Sequence, residues 1–373
     1  MDNNVPREQA TKYIVEEISK FFLIKEVVSL SSEYIKMKVI PRELGLTIDY
    51  LKHLYKKFIN INYHIFLKEQ DHELILEIHK IRRIGVSNKI FLLMLIITLV
   101  SVYITSLIWI SSWMYPGKNN FMNIEVISRS FILTMMILAP LAVHELGHFI
   151  ASKRLGVPST IPIFIPGVPG ITLGTFGAVI FMRALPPTLE ELAIISLSGP
   201  LAGTVASIIM MMMIGLPMSK IVSPASISTQ EVTTLNIAPL IFLLGEHMFF
   251  KNIEGVVLLS PEAFAAYLML LIHFMNLLPV GQLDGGQLLR GISSSRTHSV
   301  ISLGVVIITL LLSVVFRQQI LQMIALFVLI MYILTGGRTH LGASYDRYKN
   351  PLIMKILFLI WLLLLILLMP IPI

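Results

Sequence analysis

The chain has 373 residues, of which 55% are hydrophobic and only 14% charged, with a mean hydropathy of +0.80. A soluble globular domain is about a quarter charged, so the composition excludes an ordinary soluble protein and implies several membrane spans beside one small soluble part. The net charge of +7 contains no dense basic run, which argues against nucleic acid as a partner, and the absence of cysteine excludes disulfides, thiolate metal sites and cysteine nucleophiles.

The first ten residues are polar and lack the apolar core of a secretion signal, so no cleavable leader is expected. Residues 1–87 read as a soluble α+β domain. Helical spacing covers 10–22 and 48–58, and apolar and polar residues alternate over 34–40. Two further strands, 62–67 and 73–79, flank a turn at Asp71 and His72.

From residue 88 to 373 the chain reads as a membrane-embedded domain. Apolar runs of about 20 residues lie near 90–113, 129–153, 190–215, 262–281, 298–316, 319–336 and 352–370. Two other apolar stretches do not suit a simple span. Residues 158–182 carry Pro162, Pro166 and Pro169 with Gly167, Gly170, Gly174 and Gly177, and predict a re-entrant segment ending in a strand over 174–182. Residues 236–250 predict an apolar helix interrupted by Glu246 and His247, at the interface or dipping into the protein.

Basic residues set the orientation. Lys80, Arg82, Arg83, Lys89, Lys153, Arg154, Arg183, Arg290, Arg296, Arg338, Arg347 and Lys349 fall on one side; Lys118, Lys220, Lys251 and Arg317 fall on the other. The positive-inside rule then places the N-terminal domain in the cytoplasm and the C-terminus outside.

His144, Glu145 and His148 lie within the apolar run 131–150, which holds no other ionisable residue. Positions four apart share a helix face, so His144 and His148 can grip one metal ion, with Glu145 beside it to take a proton from an activated water. Ionisable groups at membrane depth are costly and usually functional; the bland alternative is a polar cluster that glues helices together. Catalytic zinc usually takes three protein ligands, and Asp284 is the best third candidate. Pro279 and Gly281 would break the helix before it, and Gly285 and Gly286 allow close backbone approach. An Asp-Gly-Gly on its own is more often a turn. Gly199 and Gly203 have the small-xxx-small spacing of a closely packed helix pair. His273, three residues before Asn276, reads as a packing or helix-to-helix hydrogen-bonding residue, with a role behind the metal as the alternative.

The membrane-depth HELGH at 144–148 together with NLLPVGQLDGG at 276–286 resembles the site-2 proteases, which are intramembrane zinc metalloproteases. LGTFGAVI at 173–180, SGPLAG at 198–203 and SPEAFAA at 260–266 extend the likeness, and the chain end MPIPI resembles the archaeal and chloroplast branch, whose members carry a soluble N-terminal part. The likeness spans about 125–373 and is weak over 1–87. It implies an all-α polytopic membrane protein with a re-entrant β-containing segment, one Zn2+ per chain held by His144, His148 and Asp284, and Glu145 as general base. It also implies that Asn276 stabilises the oxyanion or orders the site; from the residues alone, Asn276 could instead satisfy backbone groups freed near Pro279, and both readings stand. The strand near 174–180 would pair with an unwound substrate or merely plug the protein.

The expected function is hydrolysis of a peptide bond within or near a transmembrane segment of a membrane-protein substrate, in the lipid bilayer and with access from the cytoplasmic side. The alternative is a zinc-binding membrane protein without protease activity, a transporter or an inactive scaffold.

Overall fold

Ile14 and Ile18 in one segment, and Leu51, Leu54, Tyr55 and Phe58 in another, recur at helical intervals, so each segment forms a helix with one apolar stripe that needs covering. The computed structural model describes residues 7–43, 45–81, 87–118, 120–223, 234–251, 253–337 and 340–373. Of the basic residues that set the orientation, Arg82, Arg83 and Arg338 lie outside the described residues. Helix α1 (Arg7–Phe21) and strands β1 (Phe22–Leu30) and β2 (Tyr34–Pro41) come first, then helix α2 (Thr47–Asn60) and strands β3 (Tyr63–Gln70) and β4 (Glu73–Lys80). The strands make one antiparallel sheet in the order β1-β2-β4-β3.

Ile35, Met37, Val39, Ile65, Leu76 and Ile78 meet the helix stripes in a single core. Burial of each such side chain contributes about 1.5–3 kcal/mol. Asp71 and His72 form the β3–β4 turn with positive φ of 50° and 63°. Strand β1 was not anticipated, because register shifts between Ile24 and Glu26 and between Val27 and Ser29 break the two-residue alternation.

Helices α3 (Asn88–Met114) and α4 (Ile124–Arg154) follow. Strands β5 (Ile163–Pro166) and β6 (Thr175–Val179) come next, then α5 (Leu189–Met210). Beyond a π-helical turn lie β7 (Lys220–Val222), β8 (Ile237–Pro239), α6 (Leu240–Phe250), β9 (Val256–Leu258), α7 (Pro261–Leu277) and α8 (Asp284–Ile292). The chain closes with α9 (Ser295–Phe316), α10 (Gln319–Leu334), α11 (Pro351–Leu368) and β10 (Pro370–Pro372).

Five described helices are long and apolar enough to cross a membrane: α3, α4, α5 with its extension to Met218, α9 and α11. The other two expected spans fold as α7 and α10, of 17 and 16 residues. Helix α7 stops because Leu278 turns to an extended conformation ahead of Pro279. Helix α10 stops before Gly336 and Gly337, which have φ of 62° and 63°. Residues 236–250 divide between β8 and α6, and Glu246 and His247 sit within that helix.

The re-entrant segment is the β5–β6 pair. Its backbone polar groups are met by α3: Ser101 Oγ donates to the Gly167 carbonyl at 2.7 Å, and Thr105 Oγ1 accepts from the Gly170 N–H at 3.2 Å. Gly174 lies so close to α3 that a Cβ there would stand 2.5 Å from Val102 Cα.

The N-terminal module sits on residues 184–191 and 340–350. Tyr55 donates to the Leu185 carbonyl at 2.9 Å, and the Leu67 N–H donates to the Ser344 carbonyl at 2.9 Å. Lys52 pairs with Glu191 at 2.5 Å, Lys349 with Asp49 at 2.8 Å and Arg347 with Glu69 at 2.6 Å. At the opposite end, β10 pairs with β8 and β9 with β7. A buried pair ties α4 to α7 there: Arg129 Nε and a terminal nitrogen donate to the Glu262 carboxylate at 3.0 and 2.8 Å.

Candidate metal centre

Helix α4 brings His144, Glu145 and His148 to a buried face where it crosses α5. Glycines make that crossing close. A Cβ on Gly147 would stand 2.5 Å from the Ser198 carbonyl oxygen, one on Gly199 would strike the Nε2 edge of the His148 ring, and one on Gly203 would lie 2.8 Å from His144 Cβ. The small-xxx-small pair of α5 is therefore the floor on which the two imidazoles rest.

Asp284 arrives from the other side as the first residue of α8. The chain between α7 and α8 folds back tightly, with Gly281 at φ 53°. Cβ atoms on Gly285 and Gly286 would strike the backbone carbonyls of Leu277 and of Val280 and Gly281. Carbonyls freed by the break find other partners: Ser302 Oγ donates to Pro279 at 3.1 Å and Trp361 Nε1 to Leu277 at 2.9 Å.

His144 Nε2, His148 Nε2 and an Asp284 oxygen converge. The two nitrogens are 3.2 Å apart, and Asp284 Oδ2 and Oδ1 lie 3.2 and 3.3 Å from His144 and His148. Donors around a tetrahedral ion with bonds of 2.0–2.1 Å are spaced by about 3.3 Å, so the triangle fits one such ion.

The chemistry of the donors agrees. His148 Nδ1 lies 2.8 Å from the Ile195 carbonyl oxygen, which can only accept, so the proton sits on Nδ1 and Nε2 presents its lone pair inward. Without a cation, that lone pair faces a carboxylate unless the buried ring takes a second proton. Among the described residues these three form the one group of ligating side chains close enough to share an ion; Glu246 and His247 of α6 join no such group.

Glu145, the three donors, Asn276, Gln287 and residues 178–180 and 182 line one cavity of about 220 Å3. The five residues picked out for catalysis and metal binding therefore come together. Among the described residues no hydrogen bond reaches the Asn276 amide, and Ser302 and Trp361 serve the carbonyls it was one candidate to serve. Strand β6 pairs with β5 along one edge, and its opposite edge has no strand partner among the described residues. Sequence reasoning missed the Ile195 carbonyl, because a backbone acceptor carries no residue signature. It also missed the Arg129–Glu262 pair, whose members lie 133 positions apart.

The sequence matches Peptidase family M50 over residues 131–317. It is 32% identical over 183 residues to a probable zinc metalloprotease, EGY2, chloroplastic, of Arabidopsis thaliana, covering 48% of this chain and 31% of that protein. It is 33% identical over 175 residues to the EGY1 counterpart of Oryza sativa subsp. japonica, covering 43% and 29%. The chain thus spans about a third of the length of these curated relatives. Among solved structures, the Site-2 Protease from Methanocaldococcus jannaschii aligns with 21% identity and a TM-score of 0.32, covering 68% of this chain and 92% of that one. With its long apolar helices and half of its length matched, the chain is an integral membrane protein that belongs to peptidase family M50, the site-2 proteases.

Proposed function

We propose that the protein is an intramembrane zinc metalloprotease that cuts a peptide bond within or near a transmembrane segment of other membrane proteins. The observation that carries this is the placement of Glu145 beside a three-donor cluster, in one cavity walled by a strand. His144, His148 and Asp284 would hold one zinc ion. When bound, zinc supplies a Lewis acid that polarises a carbonyl and makes water acidic enough to attack at neutral pH.

The chain's own groups do the rest. Glu145 takes the proton of the attacking water and returns it to the leaving amine. The Asn276 amide donates to the oxygen on which negative charge develops. A substrate helix hides its carbonyls in hydrogen bonds and must unwind before attack. The free edge of β6 offers backbone partners to the unwound stretch, as in strand addition. The distribution of basic residues supports a cytoplasmic N-terminal module, with access to the cavity from that same side. On this reading residues 1–87 form a soluble domain and 88–373 the membrane-embedded protease domain.

The test is cleavage of transmembrane reporters by the purified, zinc-quantified protein beside Glu145→Ala. Cleavage by the wild type alone, with one zinc in each protein, is expected. Equal cleavage by both would defeat the mechanism. A protein that holds zinc, cuts no reporter and moves zinc across vesicles would be a transporter instead.

A further inference from the structure

His273 of α7 is fully buried, and its Nδ1 lies 3.2 Å from His144 Nδ1. The ring planes are within 7° of parallel while their centroids are 5.1 Å apart. A face-to-face stack with the same nitrogen contact would bring the centroids much closer. The rings therefore meet edge to edge, as an in-plane N–H···N hydrogen bond requires. His144 points its other nitrogen, Nε2, at Asp284 and His148, so His273 lies behind the donor cluster rather than in it.

Two imidazole nitrogens share one proton in such a bond, and the remaining contacts decide where it sits. A ring that gives its Nε2 lone pair to a metal must carry its proton on Nδ1. His273 Nδ1 is then the acceptor, and His273 is protonated on Nε2, toward Gly203. The fold makes room on that side: a Cβ on Gly203 would stand 2.5 Å from His273 Cε1 and 2.8 Å from Nε2. The two ligand histidines thus have unlike supports, His148 a backbone carbonyl and His144 a neutral imidazole.

We infer that His273 is a positioning residue that fixes His144 in its metal-binding tautomer and ring orientation by accepting the Nδ1 proton. The inference rests on His144 being a metal ligand. Groups that orient ligand histidines in this way usually contribute tenfold to a hundredfold to metal affinity.

The test is the zinc affinity of the full chain in detergent, by competition with a chromophoric chelator, for wild type, His273→Leu and His273→Asn. Leucine keeps the bulk and loses the acceptor; the asparagine amide oxygen restores an acceptor near the Nδ1 position. The leucine variant is expected to bind zinc about 10–100-fold more weakly and the asparagine variant within about threefold of wild type. Equal affinity in wild type and His273→Leu would overturn the inference. So would an equal loss in both variants, which would mean packing alone. If the wild type binds no zinc, the ligand assignment itself fails and the inference with it. Should the variants not fold, 15N NMR of the zinc-loaded wild type reads the tautomers directly. A proton on His144 Nδ1 coupled across the bond to an unprotonated His273 Nδ1 is expected, and protonation of His273 on Nδ1 would overturn the inference.

Discussion

In the N-terminal module, side chains such as Ile14, Leu54 and Phe58 fill the interior, whereas at the donor cluster Gly147, Gly199 and Gly203 empty it so that imidazoles can enter. The module has a continuous apolar core, where apolar area removed from water supplies the driving force. Between α4 and α5 that force is weak, because lipid is as apolar as leucine, and close approach with satisfied polar groups takes its place. On the long apolar helices, Val314, Val315 and Leu352 remain 70, 70 and 63% exposed. Added or removed carbon should therefore have opposite consequences in the two regions.

The largest effect is expected from Gly199→Ala. Its methyl would overlap the His148 ring, so zinc affinity should fall about a hundredfold or more, and activity with it. Hydrogen exchange in β2 and β4, measured by mass spectrometry, should stay unchanged. Normal zinc binding by this variant would mean that the ring is not seated on α5.

Next is the converse change, Leu54→Ala, which empties the module core and should destabilise it by about 2–5 kcal/mol. Exchange across 34–80 should accelerate while zinc affinity holds. A parallel loss of zinc would make the two regions one cooperative unit.

The contact between module and membrane body should respond to pH. His64 Nε2 donates to Ser344 Oγ at 2.8 Å, and that hydroxyl donates to the Leu185 carbonyl at 3.3 Å. Burial, reinforced by nearby His79, pushes the His64 imidazole down to about 4, against a smaller opposing pull from the Leu185 carbonyl. Its ordinary value is about 6.5, so between these pH values the unfolded chain binds the proton and the folded chain does not. Stability from this group is whole above pH ~6.5 and falls away toward pH 4. Thermal unfolding should show that slope, and His64→Gln should flatten it; an unchanged slope would assign the pH dependence to other groups. The smallest effect is expected at Arg347→Ala, whose pair with Glu69 is about half exposed on each side, and which should cost less than about 1 kcal/mol. A larger loss of thermal stability would make this pair part of a coupled network.

What was legible in the sequence follows the same division. His144 and His148 could be read because a helix converts spacing into geometry, and Asp284 because Pro279 and Gly281 announce a break. The β5–β6 pair was foreshadowed by prolines and glycines at membrane depth. Strand β1 was hidden, because its bulges remove the alternation that marks a strand. The lengths of α7 and α10 were overestimated, since hydropathy continues past the residues where backbone conformation ends each helix. His273 was visible as a polar residue on α7, but its partner, 129 positions earlier in the chain, could be known only from the fold. Supports made of backbone, such as the Ile195 carbonyl, leave no trace in side-chain identity.

The central claim is that two imidazoles and one carboxylate of this chain hold a single ion next to Glu145. X-ray absorption at the zinc edge of the purified protein tests it most directly. The account predicts one zinc per chain with a four-coordinate shell of two imidazole nitrogens and oxygens at about 2.0–2.2 Å, and loss of that shell in Asp284→Ala and His148→Ala. An all-oxygen shell, or a shell unchanged in those variants, would contradict it.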